Sequence, residues 1–413
     1  MIHTKNFKTG LIGRRLSHSF SPEIHSYLAD YEYRLYEMEE EDVGNFLKDC
    51  PLDAFNVTIP YKKTVMPFLS HISDTALKTG SVNTIVKKPD GLYGYNTDYY
   101  GFSYMVNVSG IEIKGKKVLV LGTGGASLTV ISVLTDMGAG EIVNISRSGE
   151  NNYKNIHVHK DADVIVNTTP VGMYPENGET PVDLKIFTRL SGVLDLIYNP
   201  SVTRLIYDAE KLGIPAINGL SMLSAQAKKA CELFLGQDIE TDPTPEIVKN
   251  TEQRLKNIVL IGMPGSGKST AGRLLSEKLQ RNFIDTDEII VKNSEMSIPE
   301  IFSSFGEEEF RKREAEAARE AGKASGAVIA TGGGIITREE NYYPLHQNSY
   351  IIWLKRDPSL LPVEGRPISR TNDINELYRK RAPLYESFCD GIVEVSNDTE
   401  ETVQRIIDEI RRM

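Results

Sequence analysis

Short apolar runs alternate with longer amphipathic segments along the chain. Apolar runs bounded by glycine or polar residues are typical of buried strands, and amphipathic segments are typical of helices. The clearest strand-like runs are Lys117–Leu121, Glu141–Ile145, Ile258–Ile261 and Val328–Ala330. Because the alternation continues through all 413 residues, the pattern predicts α/β architecture with parallel sheets.

Two breaks in this pattern predict the domain boundaries. The stretch 237–254 is polar and acidic, contains two prolines and precedes a new apolar run. A softer break lies near Gly101, before the strand-like run at Lys117. We therefore predict a first α/β domain over 1–100 and a Rossmann-type domain over 101–236, whose last helix packs back on the first domain. A linker over 237–254 and a third domain over 255–413 follow.

The third domain opens with a glycine loop of the triphosphate-binding type. Gly262–Ser269 fits the pattern G-x-x-x-x-G-K-[ST], with a strand-like run before it and a helix-like segment after it. In this pattern backbone N–H groups surround the phosphates, the lysine reaches the β- and γ-phosphates, and the serine hydroxyl binds Mg²⁺. The loop therefore predicts an ATP and Mg²⁺ site that comprises Gly265, Ser266, Gly267, Lys268, Ser269 and Thr270.

The second domain carries a different glycine loop. After the strand at Lys117–Leu121, the sequence Gly122-Thr-Gly124-Gly125-Ala126-Ser127 resembles a dinucleotide-binding turn, although Ser127 stands where the third glycine is usual. The next strand ends in Ser146-Arg147-Ser148, without the acid that binds the ribose of NAD. Arg147 and Ser148 suit a 2′-phosphate, so NADPH is the predicted cofactor. An exposed loop arginine is the alternative explanation of Arg147.

Composition limits the other classes of function. The formal net charge of −10 disfavours a broad nucleic-acid-binding surface. The three cysteines are far apart, as in a reduced cytosolic protein. The N-terminus lacks the apolar core of a signal peptide, and no apolar run has membrane length. We therefore expect a cytoplasmic protein that acts on small molecules, without nucleic-acid or membrane partners. The sequence does not predict its oligomeric state.

Several motifs follow the triphosphate loop. They are Asp285-Thr-Asp287, Gly306-Glu-Glu-Glu-Phe310-Arg311, Gly332-Gly333-Gly334, Gly365-Arg366-Pro367 and Arg381-Ala-Pro-Leu-Tyr385. With these motifs, residues 255–413 resemble shikimate kinase.

The resemblance to shikimate kinase implies a role for each motif. Asp287 would orient the shikimate hydroxyl and help to remove its proton, and Asp285 would support Mg²⁺ together with Ser269. Arg311 and Arg381 would bind the substrate carboxylate, Gly333 and Gly334 would line the substrate, and Arg366 would close over ATP.

Plainer explanations of these residues remain open. Arg311 and Arg381 lie in charged segments where a solvated arginine is common, and the three glycines can form a simple tight turn. The region Pro358–Arg370 is shorter than the usual lid and has only two arginines, so nucleotide clamping is the weakest part of the resemblance.

Polar clusters also follow the strand-like runs of the first hundred residues. They are His18-Ser19-Phe-Ser21-Pro22, Asn56-Val-Thr58-Ile-Pro60-Tyr61-Lys62, Gly80-Ser-Val-Asn83-Thr84 and Gly94-Tyr-Asn-Thr97-Asp98. Such strand ends are where α/β proteins place ligand-binding groups. Together with Gly122–Ser127, Asn167–Met173, Asp195–Pro200 and Asn218–Gln226, they make residues 1–240 resemble shikimate dehydrogenase.

The resemblance to shikimate dehydrogenase implies a catalytic pair, Lys62 and Asp98. Lys62 would act either as the proton donor or as an electrostatic stabiliser of the developing alkoxide. By the same resemblance, the substrate contacts are Ser19, Ser21, Thr58, Asn83, Asp98, Tyr198 and Gln226. The further cofactor contacts are Thr168, Gly219 and Met222.

Simpler explanations exist for this set as well. Lys62 can be a solvated lysine, and Ser21 can be a helix N-cap before Pro22 at the first helical position. Asp98 can cap the helix that starts near Tyr99, and Asn83 can close a turn. The stretch 148–161 is shorter than usual, which predicts a trimmed helix beside the adenosine end of the cofactor site.

These observations predict a bifunctional enzyme of the shikimate pathway. One site would reduce 3-dehydroshikimate with NADPH, and the other would phosphorylate shikimate with Mg²⁺ and ATP. One alternative is an NAD-linked quinate/shikimate dehydrogenase fused to a kinase for another small hydroxy acid. The other is a catalytically dead sensor or regulator.

Overall fold

A computed structural model describes residues 7–16, 19–361 and 374–413 of the chain. The chain forms two compact units. The first unit comprises 1–173, 179–198 and 205–251, and the second comprises 174–178, 199–204 and 252–413. Within the described residues no helix is long and apolar enough to cross a membrane.

The first unit begins with a mixed six-stranded sheet. Its strands are β1 (Lys8–Gly13), β2 (Glu32–Glu37), β3 (Ala54–Val57), β4 (His71–Ile72), β5 (Thr84–Lys88) and β6 (Gly91–Tyr95). Their order is β2-β1-β3-β5-β6-β4, and β5 runs antiparallel to both of its neighbours. The carboxyl ends of β1, β3 and β6 and the amino end of β5 therefore lie at one edge. The helices of this part are α1 (Ser21–Leu28), α2 (Glu40–Lys48), α3 (Asp74–Thr79) and α4 (Asp98–Ser109).

The second sheet of this unit is entirely parallel, with the order β11-β10-β9-β7-β8. Its strands are β7 (Lys117–Leu121), β8 (Glu141–Ile145), β9 (Val164–Asn167), β10 (Gly192–Asp195) and β11 (Ala216–Ile217). Three helices accompany it, α5 (Gly125–Asp136), α6 (Arg204–Lys211) and α7 (Leu220–Leu235). Because β7 lies between β8 and β9, the strand order reverses there, and such a reversal opens a ligand crevice.

The apolar run of β7 is buried on both faces of its sheet. Val118 and Val120 pack into one core with α4 and α5, whereas Leu119 and Leu121 pack into another core with α6. Strands buried on both sides have continuous apolar sequences, which is why this run was readable as a strand.

Helix α7 packs against α1 and α4. The close crossing with α4 depends on Gly101, since a Cβ there would lie 2.6 Å from the Met222 carbonyl oxygen. The stretch 237–254, predicted as a linker, is irregular up to residue 243 and then helical in α8 (Thr244–Leu255).

The second unit contains a parallel five-stranded sheet of order β13-β14-β12-β15-β16. Its strands are β12 (Asn257–Ile261), β13 (Phe283–Asp285), β14 (Val328–Ala330), β15 (Ser349–Lys355) and β16 (Gly391–Glu394). Its helices are α9 (Lys268–Leu279), α10 (Thr286–Ser294), α11 (Ile298–Ala321), α12 (Tyr342–His346), α13 (Ile374–Phe388) and α14 (Thr399–Arg412). Alternate residues of β12 pack into two separate cores, as in β7.

Candidate active sites

A lysine–carboxylate pair lies at the ligand edge of the first sheet. Lys62 follows β3, and Asp98 is the first residue of α4, directly after β6. Lys62 Nζ lies 2.5 Å from Asp98 Oδ2, and the two side chains are only 19% and 11% exposed. The structure therefore excludes a solvated Lys62 and pairs it with the one carboxylate that the sequence had assigned to it.

Asn83 lies against this pair and is almost fully buried. Its Nδ2 donates to Asp98 Oδ1 over 2.9 Å and to Thr97 Oγ1 over 3.0 Å, and its Oδ1 accepts from the Thr97 backbone N–H over 2.7 Å. One oxygen of Asp98 is thus held by Asn83 and the other by Lys62. Asn83 does more than close a turn, because its side chain orients the carboxylate.

Gln226 of α7 reaches the same cluster. Its Oε1 accepts from Thr97 Oγ1 over 3.3 Å and from Asn83 Nδ2 over 3.4 Å. The packing of α7 on α4 at Gly101 brings this residue, 143 positions away in sequence, next to Asn83.

The predicted serine contacts surround the start of α1. Phe20 is the N-cap and makes no side-chain cap, so Ser21 is not the N-cap that the sequence allowed. The backbone N–H of Ser21 donates to Ser19 Oγ over 3.3 Å. The ring of Tyr198 packs on Phe20 with a centroid distance of 5.3 Å, and burial raises the pKa of Tyr198. Thr58 lies at the carboxyl end of β3 and is half-buried.

The first glycine loop joins β7 to α5. Gly122 has φ +104°, and a Cβ there would lie 2.9 Å from Thr168 Oγ1, so both the conformation and the close approach favour glycine. Cβ atoms at Gly124 and Gly125 would meet no atom within 4 Å. The open backbone of Gly124, Gly125 and Ala126 at the N-terminus of α5 therefore forms a surface suited to an anion.

Ser127 points away from this surface. It is 1% exposed, and its hydroxyl donates to the Gly124 carbonyl over 2.6 Å. The hydroxyl therefore closes the first turn of α5 and shapes the loop. Thr168 supports the loop from β9, since its hydroxyl donates to the Leu121 carbonyl over 2.7 Å.

The end of β8 lies beside the same loop, where the Gly122 N–H donates to the Ile145 carbonyl over 2.8 Å. Arg147 and Ser148 follow β8 and are exposed. The stretch after them holds only a short 3₁₀ helix, Ile156–His159, in agreement with the predicted trimmed helix.

Gly219 and Met222 begin α7. A Cβ at Gly219 would lie 2.6 Å from the Leu196 carbonyl carbon, so glycine is required there for packing. Met222 is half-buried and packs on the core beside α4.

The second glycine loop joins β12 to α9. Gly262, Gly265 and Gly267 have φ values of +148°, +85° and +93°, which other residues rarely adopt. Lys268 is buried, and its Nζ donates to the carbonyls of Gly262 and Met263 over 2.9 and 3.0 Å. The lysine is thus held across its own loop, where a bound triphosphate would lie.

Two carboxylates face this loop from β13 and α10. Asp285 Oδ2 accepts from Ser269 Oγ over 2.7 Å, and Asp285 Oδ1 accepts from the Asp287 N–H over 3.0 Å. The Ser269 hydroxyl and Asp285 are oxygen ligands of the kind that Mg²⁺ prefers. Burial, together with the charges of Asp285 and Glu314, raises the pKa of Asp287 to about 6.

Arg311 is held by two carboxylates of its own helix. Its Nη1 lies 2.6 Å from Glu314 Oε2 and its Nη2 lies 3.0 Å from Glu307 Oε1. Burial lowers the pKa of Arg311, but the two carboxylates outweigh this effect and raise it. The side chain of Arg311 is only 7% exposed, so the solvated-arginine explanation is wrong.

The three glycines after β14 form the opposite wall. Arg381 Nη1 donates to the Gly333 carbonyl over 3.1 Å, and Tyr385 Oη donates to the same carbonyl over 2.6 Å. A Cβ at Gly333 would lie 2.5 Å from Pro264 of the phosphate loop, and one at Gly334 would lie 2.7 Å from the Arg311 guanidinium carbon. The backbone thus approaches both sides of the site too closely for a side chain.

Comparison with known proteins identifies both halves. Residues 11–85 match the shikimate dehydrogenase substrate binding domain family. The shikimate dehydrogenase (NADP(+)) of Clostridium beijerinckii is 39% identical over 267 residues, which cover 60% of this chain and 98% of that protein. The chain belongs to the shikimate dehydrogenase family. Residues 264–411 match the shikimate kinase family, so a shikimate kinase domain follows the dehydrogenase part in one bifunctional chain.

Solved structures agree with this assignment. A chorismate mutase/shikimate 5-dehydrogenase fusion protein from Clostridium acetobutylicum has a TM-score of 0.57 and 36% identity over 60% of this chain and 98% of that one. Quinate dehydrogenase from Corynebacterium glutamicum, solved with NAD, has a TM-score of 0.54 and 26% identity over 60% of this chain and 99% of that one. The dehydrogenase fold alone therefore does not separate NADP from NAD.

The structure also gives contacts in the site to Glu314 and Tyr385, for which the sequence predicted no role. Glu314 Oε1 and Asp287 Oδ1 are both buried without a hydrogen-bond partner among the described residues, and a Cβ at Gly332 would lie 2.9 Å from each. The helical spacings of Glu314 from Arg311 and of Tyr385 from Arg381 were the available signals. Arg366, predicted to cover ATP, lies outside the described residues, as does Arg370.

Proposed function

We propose that the enzyme reduces 3-dehydroshikimate to shikimate with NADPH and then phosphorylates the 3-hydroxyl of shikimate with Mg²⁺ and ATP. The observation that carries the proposal is the completeness of two separate constellations, Lys62 with Asp98 and Lys268 with Ser269, Asp285 and Asp287. The first reaction makes the substrate of the second. We assign the dehydrogenase to 1–236 and the kinase to 255–413.

In the dehydrogenase, bound NADPH would supply the hydride for the ketone carbon. Lys62 would lie at the ketone oxygen, either giving it a proton or stabilising its negative charge. Asp98 keeps the lysine ammonium in place through the 2.5 Å contact, and Asn83 keeps the carboxylate in place. Ser19, Ser21, Thr58, Tyr198 and Gln226 would bind the hydroxyls and carboxylate of the substrate.

The dinucleotide would bind across the carboxyl ends of β7 and β8. Its pyrophosphate fits the backbone of Gly124, Gly125 and Ala126, where the space beside the two glycines is open, since a Cβ at either glycine would meet no atom within 4 Å. Exposed Arg147 and Ser148 follow the neighbouring strand and suit the 2′-phosphate. This position favours NADP over NAD, and the ratio of NADPH to NADH turnover tests that choice.

In the kinase, ATP supplies the transferred phosphoryl group, and Mg²⁺ would be held by Ser269 with support from Asp285. Asp287 would accept the proton of the attacking hydroxyl, for which its raised pKa of about 6 still leaves it ionised at neutral pH. The unpaired oxygens of Asp287 and Glu314 are acceptors that suit a polyhydroxylated substrate. Arg311 and Arg381 would bind its carboxylate.

We further propose that the enzyme works in the cytoplasm on small molecules alone. The net charge of −10 supports the absence of a nucleic-acid surface, and the three cysteines are free thiols. The intact catalytic constellations argue against a dead sensor, which measured turnover at both sites would exclude directly.

Reciprocal lysine variants test the two-site proposal. Lys62→Ala should lower NADPH oxidation at least about 100-fold and leave shikimate phosphorylation unchanged, because general acid catalysis contributes about 10²–10⁴-fold. Exposed Lys63 is the matched control. Lys268→Ala should do the reverse, with Lys278→Ala on the same helix as its control. If either single substitution abolished both activities in a protein that is still folded, the proposal of two independent sites would be contradicted.

A further inference from the structure

A series of hydrogen-bonded polar side chains leads from β2 to the catalytic pair of the dehydrogenase. It starts at Tyr33, whose phenol donates to Asn56 Oδ1 over 2.8 Å. The ring of Tyr33 stacks on His25 with a centroid distance of 4.0 Å. His25 is 1% exposed, and burial lowers its pKa to about 3, so the neutral imidazole packs as a rigid support for the phenol.

Asn56, in the middle of β3, is the next residue of the series and is 5% exposed. Its Nδ2 donates to the Asn83 carbonyl over 3.2 Å and to Thr84 Oγ1 over 3.0 Å. The Asn83 carbonyl only accepts hydrogen bonds, so the amide nitrogen of Asn56 must face Asn83 and Thr84, and the amide oxygen then accepts from the Tyr33 phenol. A flipped amide would place its oxygen against the Asn83 carbonyl, which is also an acceptor.

Thr84 links Asn56 to the side chain of Asn83. Its hydroxyl accepts from Asn56 and donates to Asn83 Oδ1 over 3.1 Å. The Thr97 N–H donates to the same Oδ1, so the amide nitrogen of Asn83 faces Asp98 Oδ1 at 2.9 Å. Each donor in the series therefore meets an acceptor, and the series ends at the carboxylate that holds the catalytic lysine.

We propose that Tyr33 is a positioning residue of the dehydrogenase, which acts through Asn56 and Thr84 to hold the Asn83 amide against Asp98. The proposal rests on the dehydrogenase activity proposed above and adds to it a residue outside the substrate pocket. Tyr33 also contacts Ser21, one of the proposed substrate-binding residues, so that one phenol connects two sides of the pocket.

Tyr33→Phe removes the donor and keeps the ring stacked on His25. The buried oxygen of Asn56 then lacks the phenol, and the orientation of the Asn83 amide is less strongly held. We expect kcat for reduction of 3-dehydroshikimate to fall about tenfold, while KM for NADPH stays within twofold. Tyr93→Phe is the matched control, because the Tyr93 phenol donates to exposed Asp90 over 2.6 Å.

A double-mutant cycle separates positioning from a general loss of stability. In an Asn83→Ala background Tyr33→Phe should lower kcat by less than twofold, since the hydrogen-bonded series then has no Asn83 amide to orient. Asn56→Asp, which keeps the acceptor for Tyr33 but cannot donate to Thr84, should lower kcat at least as much as Tyr33→Phe. The proposal would be overturned by equal kcat values for the wild type and Tyr33→Phe. It would also be overturned if Tyr33→Phe lowered kcat tenfold both in the wild type and in the Asn83→Ala background. Failure of the wild-type chain to oxidise NADPH would instead overturn the proposed function.

Discussion

Gly334→Ala tests the architecture of the kinase site with one added methyl group. A Cβ at residue 334 would lie 2.7 Å from Cζ and Nη2 of Arg311, whereas real Cβ contacts below 3.0 Å essentially do not occur. The guanidinium has little room to retreat, because Glu314 holds it at 2.6 Å and Glu307 at 3.0 Å. The substitution must therefore move the arginine or break one of these ion pairs.

The magnitude follows from that geometry. A hydrogen bond to a charged group contributes about 1.5–3 kcal/mol, and a misplacement of about 1 Å can cost about 100-fold in rate. We expect kcat/KM for shikimate to fall about 100-fold in Gly334→Ala. The affinity for ATP should change less than twofold, because Gly334 faces Arg311 rather than the phosphate loop.

The assay is ATP- and shikimate-dependent ADP formation, with NADPH oxidation by the same preparation as an internal reference. Lys312→Ala is the control for a change on the same helix, since Lys312 adjoins Arg311 but is exposed. A Gly334→Ala enzyme with kinase kcat/KM within twofold of wild type would refute the proposed role of Arg311 and of the close glycine wall.

Four further predictions concern the pH profile, stability, cofactor choice and packing. Because Asp287 must be ionised to accept a proton and its pKa is raised to about 6, kinase kcat/KM should fall tenfold per pH unit below about pH 6, and a flat profile to pH 5 would contradict this role. The same raised pKa means that the folded state favours the protonated carboxyl, so stability falls as the pH rises from about 4 to about 6, and the cost of the buried charge is fully present above pH 6. Asp287→Asn should accordingly abolish phosphorylation. Denaturant titration should nevertheless show that it increases the unfolding free energy of the second unit by up to about 2–3 kcal/mol at pH 8, and not at pH 4. Arg147→Ala should raise KM for NADPH about 10–100-fold and leave KM for NADH unchanged, since it would remove the charged hydrogen bond that we propose between Arg147 and the 2′-phosphate; an equal effect on both cofactors would contradict the assignment. Gly101→Ala should lower the unfolding free energy of the first unit by about 1–3 kcal/mol and reduce NADPH oxidation, because its Cβ would lie 2.6 Å from the Met222 carbonyl; unchanged stability would refute the close crossing of α4 and α7.

Local sequence patterns predicted strands of both parallel sheets. The runs Lys117–Leu121, Glu141–Ile145 and Val328–Ala330 coincide with β7, β8 and β14. β7 and β14 are almost entirely buried, so each is a continuous apolar run in the sequence, whereas β8 is only partly buried. The helix-like segment expected after the loop Gly262–Ser269 is α9, which begins at Lys268.

The contacts that orient the sites depend on residues far apart in sequence. Gln226 meets Asn83 across 143 positions, and Arg381 meets the Gly333 carbonyl across 48. Neither contact has a local signature, because it depends on how separate helices pack. The burial of Arg311 could not be predicted from the sequence either. The charged segment around it is compatible with a solvated arginine, whereas the structure places its guanidinium between two carboxylates.

Some local assignments changed with the structure. Ser21 was a candidate N-cap, but the cap position belongs to Phe20, and Ser21 is instead buried beside Tyr33. Ser127 stays a predicted cofactor contact, and the structure adds that its hydroxyl donates a hydrogen bond to the Gly124 carbonyl. The sequence does not show whether a serine caps a helix, binds a ligand or supports a turn, because this depends on the direction of its side chain.

One incubation tests the central claim that a single chain performs both reactions. The wild-type enzyme receives 3-dehydroshikimate, NADPH, Mg²⁺ and ATP, and NADPH, ADP and shikimate 3-phosphate are measured together. We predict that shikimate 3-phosphate accumulates, with one NADPH oxidised and one ADP formed per product molecule, and that shikimate alone accumulates when Lys268→Ala replaces the wild type. NADPH oxidation by the wild type without phosphorylated product, or ADP formation without consumption of shikimate, would contradict the account.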